Sequence, residues 1–260
     1  MKRLTMALAL AALVACGTAC REVAAANGRP AAPANFGAVK LEQVQQFLNE
    51  NGKADARTIV KTYNWIKAAF HYEPADQTYE FSPEELQQIA QLGVGLPVGE
   101  AWNVIHTALM ARHPGKIAAT PRWTFNSAGA AFCQIAIVYA STKEYVAFFG
   151  TPIGADGFSG RYDADVWDLM VDGNMWTYEP GQFEPTIYKA GDMAYLPQGS
   201  GKGVQYVDHS WMIDYGRGNI ISMFPFGIIA PTLFITLDYQ SAWQEFVDFA
   251  KLVIQNLIGK

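Results

Sequence analysis

Charge is scarce in this sequence. Only 17% of the 260 residues are Asp, Glu, Lys or Arg, and the balance is acidic at −5. No basic stripe is present that could track a phosphate backbone, which argues against nucleic acid as a partner. Histidine is scarce too. His71, His106, His113 and His209 show no H-x-H or H-E-x-x-H spacing, so no metal site is expected. The run "GSGKG" (Gly199 to Gly203) lacks the Gly-Lys-Ser/Thr ending of a phosphate loop and lies between strand signals, where a hairpin turn is the simpler reading. No cofactor is expected. Three cysteines are too few for a disulfide framework: Cys16 and Cys20 lie near the N-terminus, and Cys133 reads as a small buried hydrophobe.

Apolar residues, in contrast, make up half of the chain and aromatics 13%, enough for one good-sized core. The start, "MKRLTMALALAALVAC", places Lys2 and Arg3 ahead of an eleven-residue uncharged apolar stretch, too short to span a bilayer. It reads as a secretory signal over residues 1–15, and "LVAC" resembles the bacterial lipoprotein box, whose cysteine, here Cys16, is acylated and becomes the new N-terminus. An ordinary signal peptide cut a few residues later is the alternative. Either way the chain is exported. The lipoprotein reading anchors it to a bacterial membrane, on the periplasmic or cell-surface side. Residues 16–37, rich in Ala, Pro, Gly and Asn without apolar periodicity, read as a flexible tether.

Helical spacing marks residues 38–116. Leu41, Val44, Phe47 and Leu48 form one amphipathic stripe, and Ile59, Val60, Tyr63 and Ile66 another. "SPEE" (Ser82 to Glu85) joins an N-cap serine, a proline at the first helical position and a glutamate three residues after the cap, with Gly93 as the expected stop. Glu100 to Arg112 reads as a further helix, ended by His113-Pro114-Gly115. From residue 117 to 218 the pattern changes to short β-branched and aromatic runs between Gly- and Pro-bearing turns, the signature of a barrel or sandwich. Gly218 to Leu237 is uncharged, but Pro225, Gly227 and Pro231 argue against a continuous membrane-spanning helix. After Tyr239 the residues Trp243, Phe246, Val247, Ala250, Val253, Ile254 and Leu257 trace one apolar helical face, suited to packing on the barrel or to a lipid interface.

Two acids interrupt apolar strand runs. In "SWMIDYGRG" Asp214 shares a face with Ser210 and Met212, while Trp211, Ile213 and Tyr215 point the other way. In "VWDLMV" Asp168 shares a face with Val166 and Met170. Desolvation raises the pKa of such a group, and two carboxylates facing one cavity at about 4 Å repel by about 4 kcal/mol at an effective dielectric near 20. One of them then keeps a proton near neutral pH. The alternative is that each acid is an edge-strand or turn residue bonded to backbone donors.

The runs "NSAGA", "YAS" followed by "EYVAFFGT", "GFSGRY" and "WMIDYGRG", in this order from about Trp123 to Phe246, resemble the family that contains the fungal sterol Δ8–Δ7 isomerase and the animal sigma-1 receptor. The resemblance implies an α+β fold, a cupin-like β-barrel around a hydrophobic cavity, with N-terminal helices and with residues 219–260 as membrane-facing C-terminal helices over the barrel mouth. It implies that Asp168 and Asp214 are the catalytic pair, with Asp168 as proton donor and Asp214 stabilising the cation. Tyr145 orients the acid, Trp123, Phe149 and Tyr162 line the pocket, and Asp165 falls at another family acid. The implied guest is a hydrophobic small molecule, a sterol-like lipid or an amine, and the implied assembly a homo-oligomeric trimer at a membrane surface. The chain departs from the family at Asp214, where the family has glutamate, at Tyr139, where "HAS" has histidine, and at Ala194 and Tyr195, which replace a histidine pair of the fungal enzyme. Two functions fit: isomerisation of a ring double bond by protonation and deprotonation, or non-catalytic binding of amphipathic amines or lipids.

The lipoprotein reading has a direct check. Cys16→Ala should move the full chain from the membrane fraction to the soluble fraction on cell fractionation; retention in the membrane fraction would reassign anchoring to the C-terminal helices.

Overall fold

The computed structural model describes residues 78–258. The stripes around Leu41 and Ile59, the signal segment, Cys16 and the tether lie outside the described residues. The described part opens with helices α1 (Pro83–Gln91) and α2 (Val98–Arg112). Eight strands follow: β1 (Thr124–Asn126), β2 (Cys133–Ala140), β3 (Glu144–Thr151), β4 (Ala155–Phe158), β5 (Ala164–Tyr178), β6 (Thr186–Lys189), β7 (Met193–Leu196) and β8 (Gly203–Gly218). Helical turns at Ile220–Met223, Pro225–Ile229 and Thr232–Thr236 lead to the last helix, α3 (Tyr239–Ile258).

All pairings are antiparallel, and two long strands organise them. β5 and β8 pair along their whole length, from Ala164↔Gly218 to Tyr178↔Gly203. The C-terminal half of β8 also pairs β3, and the N-terminal half pairs β4. β5 likewise pairs β7 early and β6 late. The two strands thus pass from one sheet, β1-β2-β3-β8-β5-β7, into a second, β4-β8-β5-β6, and the lumen lies between them. The register shifts between Met170 and Asp172 and between Gly173 and Asn174 mark the corner, where a bulge sharpens the bend. Gly173 is needed there: its φ is +77°, and a Cβ would come within 2.1 Å of the His209 carbonyl oxygen. His209 sits beside this corner, inside β8 rather than at a strand start, next to Asp208 with φ 57°.

Strand alternation separates two apolar compartments. On the outer face of the first sheet Val146, Phe148, Trp167, Leu169, Ile213 and Tyr215 pack with Leu86, Ile89, Trp102, Ile105 and Leu109 of α1 and α2. Full burial of each aliphatic side chain there stabilises the fold by about 1.5–3 kcal/mol. The start of α1 follows its sequence signals: Ser82 Oγ accepts from Glu85 N at 3.1 Å, and proline occupies the first turn. The Glu85 carboxylate, however, bonds His113 Nε2 at 3.2 Å. Gly93 is needed for packing rather than as a left-handed cap, because a Cβ would lie 2.8 Å from Ile105 Cδ1.

Under these helices lies a fully buried carboxylate, Glu144. It accepts from Glu80 N at 2.7 Å, Phe81 N at 3.4 Å, Tyr139 OH at 3.4 Å and Tyr215 OH at 3.2 Å. Burial raises its pKa, and the backbone donors oppose the rise.

The uncharged segment after β8 forms short helical turns and no membrane-spanning helix among the described residues, as its prolines indicate. Its path stays helical through both prolines by opening into two π turns, with Phe224, Ala230 and Pro231 in right-handed helical conformation, and ends at left-handed Leu237. Proline lacks the N–H that an α-helical bond needs, and a π turn accommodates its ring. Among the described residues no helix is long and apolar enough to cross a membrane. The inward stripe of α3 is rotated from the one read in the sequence: Ser241, Glu245, Phe249, Leu252 and Val253 are buried, whereas Trp243 is 59% exposed and Ile254 is exposed as well.

Removing the Glu144 carboxylate orphans buried donors, each costing about 1–3 kcal/mol. Glu144→Ala should lower unfolding stability by about 2–4 kcal/mol in denaturant titrations; a loss below about 0.5 kcal/mol would remove Glu144 as the clamp between strand and N-terminal segment.

Candidate functional site

The lumen side of the same strands forms a cavity of about 140 Å³. Its wall is mainly apolar, from Ile135 and Ile137 of β2, Phe149 of β3, Val166 of β5, Leu196 of β7 and Val204 of β8, and Ile220, Phe224 and Phe249 close it from the C-terminal segment. Tyr145, Tyr162, Tyr206, Asn126, Lys202 and three acids, Asp168, Asp214 and Glu245, supply the polar groups.

Asp168 and Asp214 are direct cross-strand partners on β5 and β8. Opposed residues on one face have Cβ atoms about 4.5–5.5 Å apart, so the two carboxyl groups project side by side. The Tyr145 hydroxyl lies 2.9 Å from each oxygen of Asp214. Gly216, the cross-strand neighbour of Tyr145, makes room for this: a Cβ there would sit 2.2 Å from Tyr145 Cε1. Asp168 Oδ2 accepts from Lys202 Nζ at 3.2 Å. Both side chains of that ion pair are largely buried.

Burial, and after it the charge of Asp168, push the pKa of Asp214 up from 3.8 to about 8, against the pull of the Tyr145 hydrogen bond and Lys202. The accessible part of Asp214 faces the cavity. Burial and the Asp214 charge in turn hold the Tyr145 hydroxyl well above its ordinary range, so Tyr145 stays a donor. At the mouth, Asn126 Nδ2 donates to both Glu245 oxygens at 3.3 and 3.2 Å. Burial lifts Glu245 to about 7, opposed by that amide.

Tyr145, Phe149, Tyr162, Asp168 and Asp214 therefore meet at one cavity, and Trp123 and Asp165 do not. Trp123 shares the outward parity of Phe125 in β1; it is 37% exposed and packs with Trp102, Phe148 and Trp211 outside the barrel. Asp165 lies three residues from Asp168, hence on the opposite face of β5, where it accepts from Tyr195 OH at 2.7 Å and Gln198 N at 3.0 Å. Lys202, in the run expected to form a turn, and Glu245, outside the apolar face expected of the last helix, also line this cavity. A period-two signal was available for Lys202, since it has the same parity as Val204 and Tyr206.

The sequence profile described as "ERG2 and Sigma1 receptor like protein" matches residues 56–260, beginning well ahead of the stretch that carried the resemblance in the sequence reading. The erg2 homolog of Dictyostelium discoideum is 38% identical over 159 residues, 61% of this chain and 68% of that one. The sigma non-opioid intracellular receptor 1 of Gallus gallus is 35% identical over 64% of this chain and 75% of its own. The C-8 sterol isomerase of Pyricularia oryzae is 37% identical over 55% of this chain and 65% of its own. Among solved structures, KdgF from Halomonas sp. aligns with 34% of this chain and 78% of its own at 20% identity and a TM-score of 0.30. The Cnp3 cupin domain of Schizosaccharomyces pombe aligns with 36% and 69% at 8% identity and 0.31.

The raised acids give stability a definite pH dependence. With its folded pKa raised, Asp214 holds a proton that the unfolded chain releases above about pH 4, so its contribution is full below that value and is lost as pH rises to about 8. Asp214→Asn should be more stable than wild type at about pH 9 by a few kcal/mol, with the difference shrinking toward about pH 5 in denaturant unfolding. A difference independent of pH would place Asp214 in a solvated site.

Proposed function

We propose the following function for this chain, which belongs to the ERG2 and Sigma1 receptor-like protein family: its barrel receives a sterol-like or other hydrophobic, cation-forming guest, with the Asp214 carboxyl group as the acid that meets it. The observation that carries this reading is the direct cross-strand pairing of Asp168 and Asp214 in a mainly apolar cavity, where burial and the neighbouring carboxylate push Asp214 up to about 8. A relative at 37% identity is named a C-8 sterol isomerase, and one at 35% a sigma receptor. Both kinds of guest make one physical demand, a greasy body with a single positive charge next to fixed negative charge.

For isomerisation, Asp214 delivers its proton to one alkene carbon, the positive charge forms at the neighbouring carbon, and the next carbon gives up its proton to the Asp168 carboxylate as the shifted double bond forms; proton transfer between the paired acids then restores Asp214. Asp168, ion-paired to Lys202, supplies negative charge beside the cation. In this assignment the roles inferred from the sequence are exchanged: Asp214 is the proton donor and Asp168 the stabiliser. The reason is Lys202, whose ammonium occupies Asp168 and not Asp214. Tyr145 fixes the donor's orientation.

The second reading, binding without chemistry, draws support from the same ion pair, because a carboxylate engaged by Lys202 is less free to take up the departing proton. Either guest reaches the cavity from a lipid phase. We place the protein at a membrane surface, with exposed Phe234, Ile235, Leu237 and Trp243 turned toward the lipid.

Two measurements separate the readings. A hydrophobic tertiary amine should bind at least about tenfold more weakly to Asp214→Asn. Its affinity for wild type should rise as pH passes about 8, because below that value binding must displace the Asp214 proton. Unchanged affinity in the variant would take Asp214 out of the site. A Δ8 sterol incubated with the full chain in heavy water should gain deuterium by mass spectrometry, at a rate that falls above about pH 8 as the acid is lost. No deuterium entry at any protein concentration would leave binding alone.

A further inference from the structure

Glu245 has no part in the chemistry above, and its surroundings do not explain it as a structural residue. It sits on the inward stripe of α3 with Ser241, Phe249 and Leu252, at 7% exposure, where an aliphatic side chain would pack without desolvating a carboxyl group. Its hydrogen-bond partner among the described residues is the Asn126 amide, and no described cation pairs with it. The amide is itself fixed, because Asn126 Oδ1 accepts from Ala128 N at 3.0 Å, which aims Nδ2 at Glu245. A carboxyl group has roughly four lone-pair positions, and one amide leaves most of them open.

The position of Glu245 is equally specific. Asn126, Gly227, Ile228 and Glu245 line both the barrel cavity and a second, outer pocket, whose wall also includes Phe125, Phe132 and Ser241. Glu245 therefore stands at the partition between the two. The Asp214 acid belongs to the β5–β8 wall and Glu245 to α3, so the mainly apolar cavity carries acids on two different elements. A guest with only one polar group would leave the buried Glu245 with the Asn126 amide as its one hydrogen-bond partner among the described residues.

We propose that Glu245, oriented by Asn126, is a second recognition point that accepts a hydrogen bond from a hydroxyl group carried by the guest at the end away from its positive charge. The preferred ligand is then a long apolar molecule with a cation or cation-forming carbon toward Asp214 and an alcohol toward α3. A hydroxyl fits better than a second ammonium because burial lifts Glu245 to about 7, so the group that greets the ligand near neutral pH is in part an uncharged carboxyl, able to donate and accept. This rests on the function proposed above only in that the ligand fills the same cavity.

The test uses matched probes on the full chain: octyl, decyl and dodecyl dimethylamines against the same amines bearing a terminal hydroxyl, below their micellar concentrations. Wild type should prefer the hydroxylated member by about tenfold at the length that spans the cavity. Glu245→Leu should bind the plain amine at least as well and lose the preference, and Glu245→Gln, which keeps the shape if the leucine variant misfolds, should retain a part of it. A merely structural role would weaken both members together and leave their ratio unchanged, which overturns the proposal. Equal affinity of paired probes for wild type at every length, or a matching terminal diamine preferred over the alcohol, overturns it as well. Asp214→Asn is read separately: intact amine affinity there, with the hydroxyl preference erased by Glu245→Leu, would sink the cation reading and leave this one standing. Failure of wild type to bind either probe would sink both.

Discussion

Two carboxyl groups on directly opposed residues of neighbouring strands, both turned into an apolar lumen, cannot both be charged without a large electrostatic cost. At a separation of about 4 Å the repulsion alone is about 4 kcal/mol for an effective dielectric near 20, before desolvation is added. The barrel meets this constraint at Asp168 and Asp214 in two ways. Lys202 pairs with one carboxylate, and the other keeps its proton. Three features of the lumen hold that arrangement: the full-length β5–β8 pairing that sets the residues opposite each other, the Tyr145 hydroxyl that fixes Asp214, and the bare Cα of Gly216 beneath the tyrosine ring.

That constraint opposes folding at the acid pair, and apolar cores on both sides of the strands offset it, with Met170, Met175 and Met212 fully buried on the barrel side. The outward residues of the strands that carry the two acids, Trp167, Leu169, Ile213 and Tyr215, form the core shared with α1 and α2. Each strand therefore divides its labour by parity, with even-numbered Asp168 and Asp214 serving the lumen and their odd-numbered neighbours serving the fold. The family departures sort in the same way. Tyr139 hydrogen-bonds Glu144 beneath the N-terminal segment, and Tyr195 stacks on Trp167 at the outer surface, so neither faces the cavity. Histidine at those positions would bear on packing outside the barrel. Two departures lie on the lumen side: Asp214 in place of glutamate draws the acid one methylene back toward the wall, and Ala194 in place of histidine stands directly across from Asp168 in the buried core of the barrel.

Strand parity made much of this legible in the sequence. Alternation in "SWMIDYGRG" and "VWDLMV" put both acids on one side and the large aromatics on the other, which is how the sheet arranges them. Parity also carried the signals that went unused: it turns Trp123 and Asp165 outward, and it turns Lys202 inward ahead of Val204 and Tyr206. What no local pattern held was partnership at long range. That Lys202 meets Asp168, thirty-four positions away in sequence, depends on the corner at Gly173 bringing the start of β8 over the start of β5. Glu245 escaped for another reason. Its helix carries more apolar residues than one stripe can hold, so hydrophobicity alone picked the stripe containing Trp243, while packing against β1 and β2 chose the one containing Phe249.

The charge balance of the resting lumen is what links these pieces to function. With Asp214 protonated, the cluster of Lys202, Asp168 and Asp214 is neutral as a whole, and a neutral cluster is the state an empty apolar barrel tolerates best. A cationic guest upsets that neutrality, and expulsion of the Asp214 proton restores it, leaving two carboxylates against one ammonium and one guest charge. A guest that becomes cationic inside the cavity reaches the same final balance by taking the proton itself. On the function proposed above, amine binding and alkene protonation would be two routes to one electrostatic end state, differing only in whether the proton leaves for water or enters the ligand. This is a physical reason why both functions proposed for this chain draw on the same pair of acids.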